Sequence, residues 1–257
     1  MASIHPTAIV NHGAELAADV SIGPYAVIGP HVRIGDGTSV GAHTVIDGHT
    51  TIGEECEIFP FASIGQRTQD LKYKGGVCRL SIGNKNSIRE FVTINTATED
   101  GGTTVVGDGN HIMAYSHIAH NCVLGNSIIM SNLATLAGHV VIEDYAVIGG
   151  MAGLHQFCRV GTMAMVGACT KVTQDVVPYT MADGNPAAAA GLNRVRLERL
   201  GIDDEQMQAI KAAYRLIFRE GLKAREAVER IRDELSHCPA ALHMGDFVES
   251  SQRGIVR

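Results

Sequence analysis

A six-residue spacing of aliphatic side chains constrains this chain more than any other feature. From Val106 every sixth residue is aliphatic: Ile112, Ile118, Leu124, Met130, Leu136, Ile142, Ile148, Leu154, Val160, Val166 and Val172. Gly follows Val106, Leu124, Ile148 and Val160 directly. Neither a helix of period 3.6 nor an alternating strand satisfies this repeat. A hexad of one inward aliphatic residue and a turn predicts a parallel β-helix of short strands, each turn burying its apolar residue on the turns above and below. The same phase begins near the amino terminus, at Ile4, Val10, Leu16, Ile22, Ile28, Ile34, Val40, Ile46, Ile52, Ile58 and Ile64. It fails at Asp70 and Gly76, returns at Ile82, Ile88 and Ile94, fails once more at Asp100, and resumes at Val106. The failures coincide with Gln66 to Arg79 and Thr96 to Thr104. We expect these polar or Gly-rich segments as loops pushed out of the solenoid, where function tends to concentrate.

After Val172 the repeat stops. Val177-Pro178-Tyr179 and Gly184-Asn185-Pro186 are turn sequences, with an Ala-rich link behind them. Asp203 and Gln206 have the spacing of a capping box, and Met207, Ile210, Tyr214, Ile217 and Phe218 share one helical face as far as Gly221. A second helix is expected over Lys223 to Ser236, with Ala227, Val228, Ile231 and Leu235 inward, and a short third one after Pro239. The expected fold is mainly β. A β-helix covers residues 1–178, and a linker with a small C-terminal α-helical domain covers 179–257, closing the open last turn.

Composition agrees with a thin, regular interior. The 257 residues include no Trp and 29 Gly, so the core must be built of Ile, Val, Leu and Ala. A net charge of −6 gives no electrostatic reason to expect a nucleic-acid partner. Cys56, Cys78, Cys122, Cys158, Cys169 and Cys238 form no C-x-x-C pair and read as small buried thiols in a reducing compartment. The amino terminus lacks a basic stretch followed by an apolar run, and no 18-residue apolar segment occurs. A protein without a transmembrane segment, located in the cytoplasm, is expected.

If three hexads make one coil, residues 18 apart stack at a spacing of about 4.8 Å. Gly138 then lies above His120, His139 above Asn121, and His155 above Ala137 and Ala119, so three histidines occupy adjacent columns on successive coils. Histidine suits removal of a hydroxyl proton near neutral pH, and His120 is the candidate base. Gly138 would leave a backbone N–H open to a developing oxyanion. Unrelated surface histidines and an ordinary turn glycine are the alternatives.

The segments Gln69-Asp70-Leu71-Lys72-Tyr73-Lys74-Gly75, Met113 to Cys122 (M-A-Y-S-H-I-A-H-N-C), Leu136-Ala137-Gly138-His139-Val140, Gly149-Gly150-Met151 and His155-Gln156-Phe157 resemble the UDP-N-acetylglucosamine O-acyltransferase family, in the same order along the whole chain. Hexads alone mark a superfamily of acyl transferases and some lyases; Q-D-L-K-Y joined to H-x-x-H and H-Q-F is more specific. The resemblance implies a left-handed parallel β-helix, an exception to the usual crossover hand. It also implies a homotrimer with active sites in clefts between subunits, and neither metal nor other cofactor. The reaction it implies is transfer of an (R)-3-hydroxyacyl group from acyl carrier protein to the 3-position of the glucosamine of UDP-N-acetylglucosamine, the first step of lipid A biosynthesis.

Position by position, the resemblance makes His120 the general base and Gly138 the oxyanion donor. Gln69 and Asp70, with Lys72 beside them, would contact the sugar nucleotide from across a subunit boundary. His117, His139, His155 and Gln156 would line the sugar and acyl cleft, Asn193 and Arg199 would lie near the nucleotide, and Ala168 would limit acyl length, its small side chain implying a longer chain. The sequence departs from the family pattern at Asn121, where Asp is common, at Asn95-Thr96-Ala97, where His or Asn then Arg-Gly is common, and at Leu200, where a second Arg is usual. These departures leave open an acceptor with a 3-amino group, or the N-acyltransferase step of the same pathway. A zinc lyase of the carbonic anhydrase type, using His117 and His120 among three histidine ligands, is a reading of a different class. Basic residues from Arg194 to Arg225 would draw an acidic carrier protein or form a solvated face with the glutamates between them.

Overall fold

The computed structural model describes residues 2–257, and from Ser3 to Asp183 its chain winds around a three-faced prism. Strands mostly two residues long stack into faces of eleven, nine and eight strands among the described residues. Every pairing is parallel except the last, Thr180–Asp183 with Ala188–Leu192. Ser3 pairs with Ser21 and Ile129 with Val147, the expected register of 18. Ser63 pairs with Thr93 and Thr93 with His117, offsets of 30 and 24. The two excursions therefore add two hexads and one hexad, which is why the aliphatic phase survives them.

Each hexad has a second inward position that the aliphatic spacing did not reveal, two residues before the large one. Val20, Ala26, Val32, Cys56, Cys122, Ala134, Ala146 and Cys158 occupy it and are almost wholly buried. Where it is polar it bonds the backbone of the next coil, as Thr38 Oγ1 does to Gly53 O and Asn110 Nδ2 to Gly125 O. Burying each large aliphatic contributes about 1.5–3 kcal/mol. Among the described residues no coil lies beneath the first, and Ile4 and Ile9 are exposed there.

Turns between faces place one residue per hexad in the left-handed region although it carries a side chain: Tyr115, Asn121, Ser127, Leu133, His139, Tyr145, Met151, Phe157, Met163 and Cys169 have φ between 55° and 65°. Each costs about 1–2 kcal/mol, offset by stacking along the corners. Tyr25, His43, Phe61, Phe91 and Tyr115 form such a stack, with ring centroids 4.8–5.1 Å apart.

The segment read as turns and an Ala-rich link is instead a hairpin. Thr180–Asp183 continues the first face in parallel with the strand at Met165–Val166, because Met181 and Ala182 stack on Met165 and Val166. A short helix, α1 (Arg194–Arg199), follows; sequence spacing gave no sign of it because it buries only Leu197. Helices α2 (Asp204–Phe218), α3 (Ala224–Glu234) and α4 (Pro239–Glu249) then form a second core with Val177, Tyr179 and Ile255. The Asp203 side chain caps α2 through Gln206 N–H, as its spacing suggested, and Pro239 opens α4.

Candidate active site

The corner between the nine- and eight-stranded faces collects most of the singled-out residues. Both excursions leave from it, and His120, Gly138 and His155 lie on it in successive coils. Gly65, with φ 76°, opens the first excursion; a Cβ there would fall on Thr50 Oγ1 and Asp47 O, so only glycine fits.

His120 is held from both sides. Its Nδ1 lies 3.0 Å from Asn121 Oδ1, and its Nε2 lies 3.6 Å from Asp70 Oδ2. The ring sits over Gly138, whose added Cβ would come within 2.4 Å of Nε2. Among the described residues the Gly138 N–H has no hydrogen-bond partner, although the Gly138 carbonyl accepts from Phe157 N–H. A base and an open donor one rung apart can act on one carbonyl carbon.

Both flanking histidines are held below the ordinary imidazole value. Burial, then the neighbouring His120, lowers His117, whose Nδ1 meets Thr93 Oγ1 at 2.7 Å. Burial and then His120 also lower His139, with Lys72 adding to the effect and Glu99 and Asp70 opposing it. The His139 ring stands edge-on to His120 at 5.2 Å and stacks on Phe157 at 4.7 Å. Cys122, beside them in sequence, is no nucleophile: burial pushes its thiol up to about 12.

Asp70 lies beside the His120 of its own chain, because the excursion folds back onto the corner it left. Its Oδ1 accepts the Lys72 N–H, and Gln69, Asp70 and Leu71 line an open cleft of about 760 Å³. His155 is exposed, with Nδ1 3.0 Å from an Arg253 guanidinium nitrogen, and Gln156 is exposed next to it. Asn95 donates to Gln66 O and Arg67 O, leaving its Oδ1 as a buried acceptor without a partner.

Three expected residues lie elsewhere on the prism. Ala168 is on the corner between the eleven- and nine-stranded faces, one coil above Gly150. Asn193 caps α1, accepting from Arg196 N–H and donating to Met163 O, and is buried. Arg199 is exposed in the last turn of α1, which is tied to the remaining corner by Arg196 bonding Tyr145 O and Ser127 O. Sequence reasoning missed Thr93, Glu99 and Arg253 as parts of the site. Thr93 was legible as the residue 24 before His117 once the six-residue excursion is counted; Arg253, 98 residues from His155, had no local signal. Within the chain, and among the described residues, no three His, Cys, Asp or Glu side chains converge as metal ligands.

Two family profiles match: bacterial transferase hexapeptide (six repeats) over 13–48, and domain 2 of UDP-N-acetylglucosamine O-acyltransferase over 175–256. Acyl-[acyl-carrier-protein]--UDP-N-acetylglucosamine O-acyltransferases from Thiobacillus denitrificans and Thermodesulfovibrio yellowstonii are 52% and 51% identical to the chain over 258 residues, covering 100% of both partners in each case. Among solved structures, LpxA from Acinetobacter baumannii is 44% identical with a TM-score of 0.96, covering 99% of each chain. UDP-N-acetylglucosamine acyltransferase from Campylobacter jejuni is 38% identical with a TM-score of 0.91, covering 99% of this chain and 100% of that one. With this likeness the coil is the left-handed parallel β-helix that the resemblance implied.

Proposed function

Because the chain belongs to the UDP-N-acetylglucosamine O-acyltransferase family, we propose that its corner cleft transfers an (R)-3-hydroxyacyl group from acyl carrier protein to the glucosamine 3-hydroxyl of UDP-N-acetylglucosamine, the opening step of lipid A biosynthesis. One observation carries the mechanism: the His120 ring and the unpartnered Gly138 N–H occupy adjacent rungs. His120 Nε2 takes the 3-hydroxyl proton as the oxygen attacks the thioester carbon. Gly138 N–H holds the tetrahedral oxyanion. Collapse breaks the C–S bond, and the departing carrier thiolate recovers the proton from the imidazolium.

A second copy of the chain completes the cleft. Ala168 and α1, with Asn193 and Arg199, flank the two edges of the eleven-stranded face, away from His120. A neighbour presenting that face to the His120 corner would bring all of them to one ligand. Repeated three times, that head-to-tail contact closes into a ring. Leu71, wholly exposed at the tip of the first excursion, is an apolar contact awaiting such a neighbour. The carrier protein would approach over α1 and α2, where Arg194, Arg199 and Lys211 add positive charge, and the protein would work in the cytoplasm, where carrier and nucleotide sugar are found together. No helix among the described residues is long and apolar enough to cross a membrane.

Mass spectrometry of products made from UDP-N-acetylglucosamine, its 3-amino analogue and mixed hydroxyacyl carriers tests this reading. A 3-O-ester of the first acceptor is expected. Acylation of the amino sugar alone would transfer the assignment to that acceptor.

A further inference from the structure

Asn121 stands where a carboxylate would hold His120 directly, and three contacts show how the amide is aimed. Its Oδ1 accepts Thr98 N–H at 3.0 Å and lies 3.0 Å from His120 Nδ1, while its Nδ2 donates to Glu99 Oε2 at 2.8 Å. A peptide N–H cannot accept and an ionised carboxylate cannot donate, so these two partners fix which end of the amide is oxygen. That oxygen carries no hydrogen. The proton in its bond to His120 therefore sits on Nδ1, and Nε2, whose other neighbour Asp70 Oδ2 at 3.6 Å is beyond hydrogen-bond reach, keeps its lone pair over Gly138.

We propose that Glu99, on the second excursion, is a positioning residue for the base: by holding the Asn121 amide in this orientation it keeps His120 in the Nδ1–H tautomer. This deepens the acyltransferase reading and rests on it. Without the carboxylate, the amide can turn its NH₂ toward Nδ1, opposed only by Thr98 N–H. An NH₂ facing Nδ1 favours the tautomer with hydrogen on Nε2, where the hydroxyl proton has to go. The other oxygen of Glu99 stands 4.0 Å from His139 Nε2, so the same side chain also borders the ring that abuts His120.

A carboxylate at 121 accepts from Nδ1 in either orientation and needs no such help, and this distinguishes positioning from any other role of Glu99. The test combines ¹⁵N NMR of the histidine side chains in the substrate-free protein with steady-state kinetics. The unmodified protein should show His120 protonated on Nδ1. Glu99→Leu should gain an Nε2–H fraction and lose roughly tenfold in kcat, short of the roughly 10² to 10⁴ a positioned base supplies because the base itself remains, with KM changed less than about twofold. In an Asn121→Asp background the same Glu99→Leu change should leave both the tautomer and kcat nearly untouched. An Nε2–H signature in the unmodified protein overturns the proposal without any variant, so a Glu99→Leu protein that fails to fold does not shelter it. Equal losses with and without the Asn121→Asp change, or an unchanged Glu99→Leu spectrum, also overturn it. The spectra need no substrate, so they stand even where the proposed reaction fails.

Discussion

Gly138 lies so close to His120 that a Cβ built on it would fall 2.4 Å from both Nε2 and Cε1 of the ring. Its backbone is outside the left-handed region that demands glycine at Gly65, so here the ring, and not the turn, excludes a side chain. Gly138→Ala must displace the imidazole. Because the ring borders an open cleft it can swing aside, and the melting temperature should change little while turnover falls by roughly 10²-fold or more, the share a positioned base provides. His120→Ala should match it in turnover. Near-normal kinetics for Gly138→Ala would sever the pairing on which the mechanism rests.

Arg253 reaches His155 because the tail is pinned elsewhere. Asp175, 1% exposed, accepts Arg159 N–H and the Ser251 hydroxyl, and Val256 N–H bonds Asp175 O. Nδ1 of His155 also lies 3.2 Å from the Gln156 carbonyl, so the guanidinium and the turn together fix the ring in place. Arg253→Met should raise KM for the sugar nucleotide several-fold, with kcat nearly constant, the pattern of lost ground-state binding. An unchanged KM would mean that the contact orders only the tail.

The helical cap is tied to the solenoid by Glu143, whose Oε2 lies 3.0 Å from His243 Nε2 on α4 and accepts both the N–H and the hydroxyl of Thr162. Burial alone would raise this carboxyl; the His243 and Thr162 donors outweigh it and hold Glu143 below its ordinary value of 4.5. A depressed carboxyl contributes stability that is present above about pH 4.5 and is lost as pH falls through the lowered native value. Urea midpoints across that range should fall for the natural sequence and be flatter for Glu143→Gln. At pH 7 the variant should be less stable by about 1–3 kcal/mol, the cost of losing a half-buried charge-assisted contact. Parallel pH profiles for the two proteins would discard Glu143 as the source.

Much of this was legible in the sequence because the solenoid is nearly one-dimensional. Once 18 residues make a coil, Gly138 must lie over His120, and the whole-hexad lengths of both excursions kept that count valid across them. Periodicity fails where a contact is not local. Whether Asp70 serves its own His120 or a neighbour's depends on how an irregular loop folds back, which no spacing encodes. The hairpin at Thr180–Asp183 was hidden for a related reason: Met181 and Ala182 stack on Met165 and Val166, 16 residues back, off the hexad phase. Glu99 looked like one acidic residue in a polar loop, and only the amide it orients gives it meaning.

The first excursion separates folding from binding. Gln69, Leu71, Lys72 and Lys74 are exposed, and no residue from 69 to 75 belongs to either core. The coils around the loop are held independently: Ser63 and Ile64 pair with Thr93 and Ile94, and Arg79–Ile82 pairs with His49–Ile52. Replacing residues 69–74 with a shorter glycine–serine link changes closure entropy by well under about 1 kcal/mol, so the melting temperature should move by only a few degrees. Turnover should fall by about 10²-fold or more, because Asp70 and the cleft wall proposed to align the sugar with His120 go together. Unfolding of the shortened protein would make the loop structural, whereas full turnover would show that the acceptor is held without it.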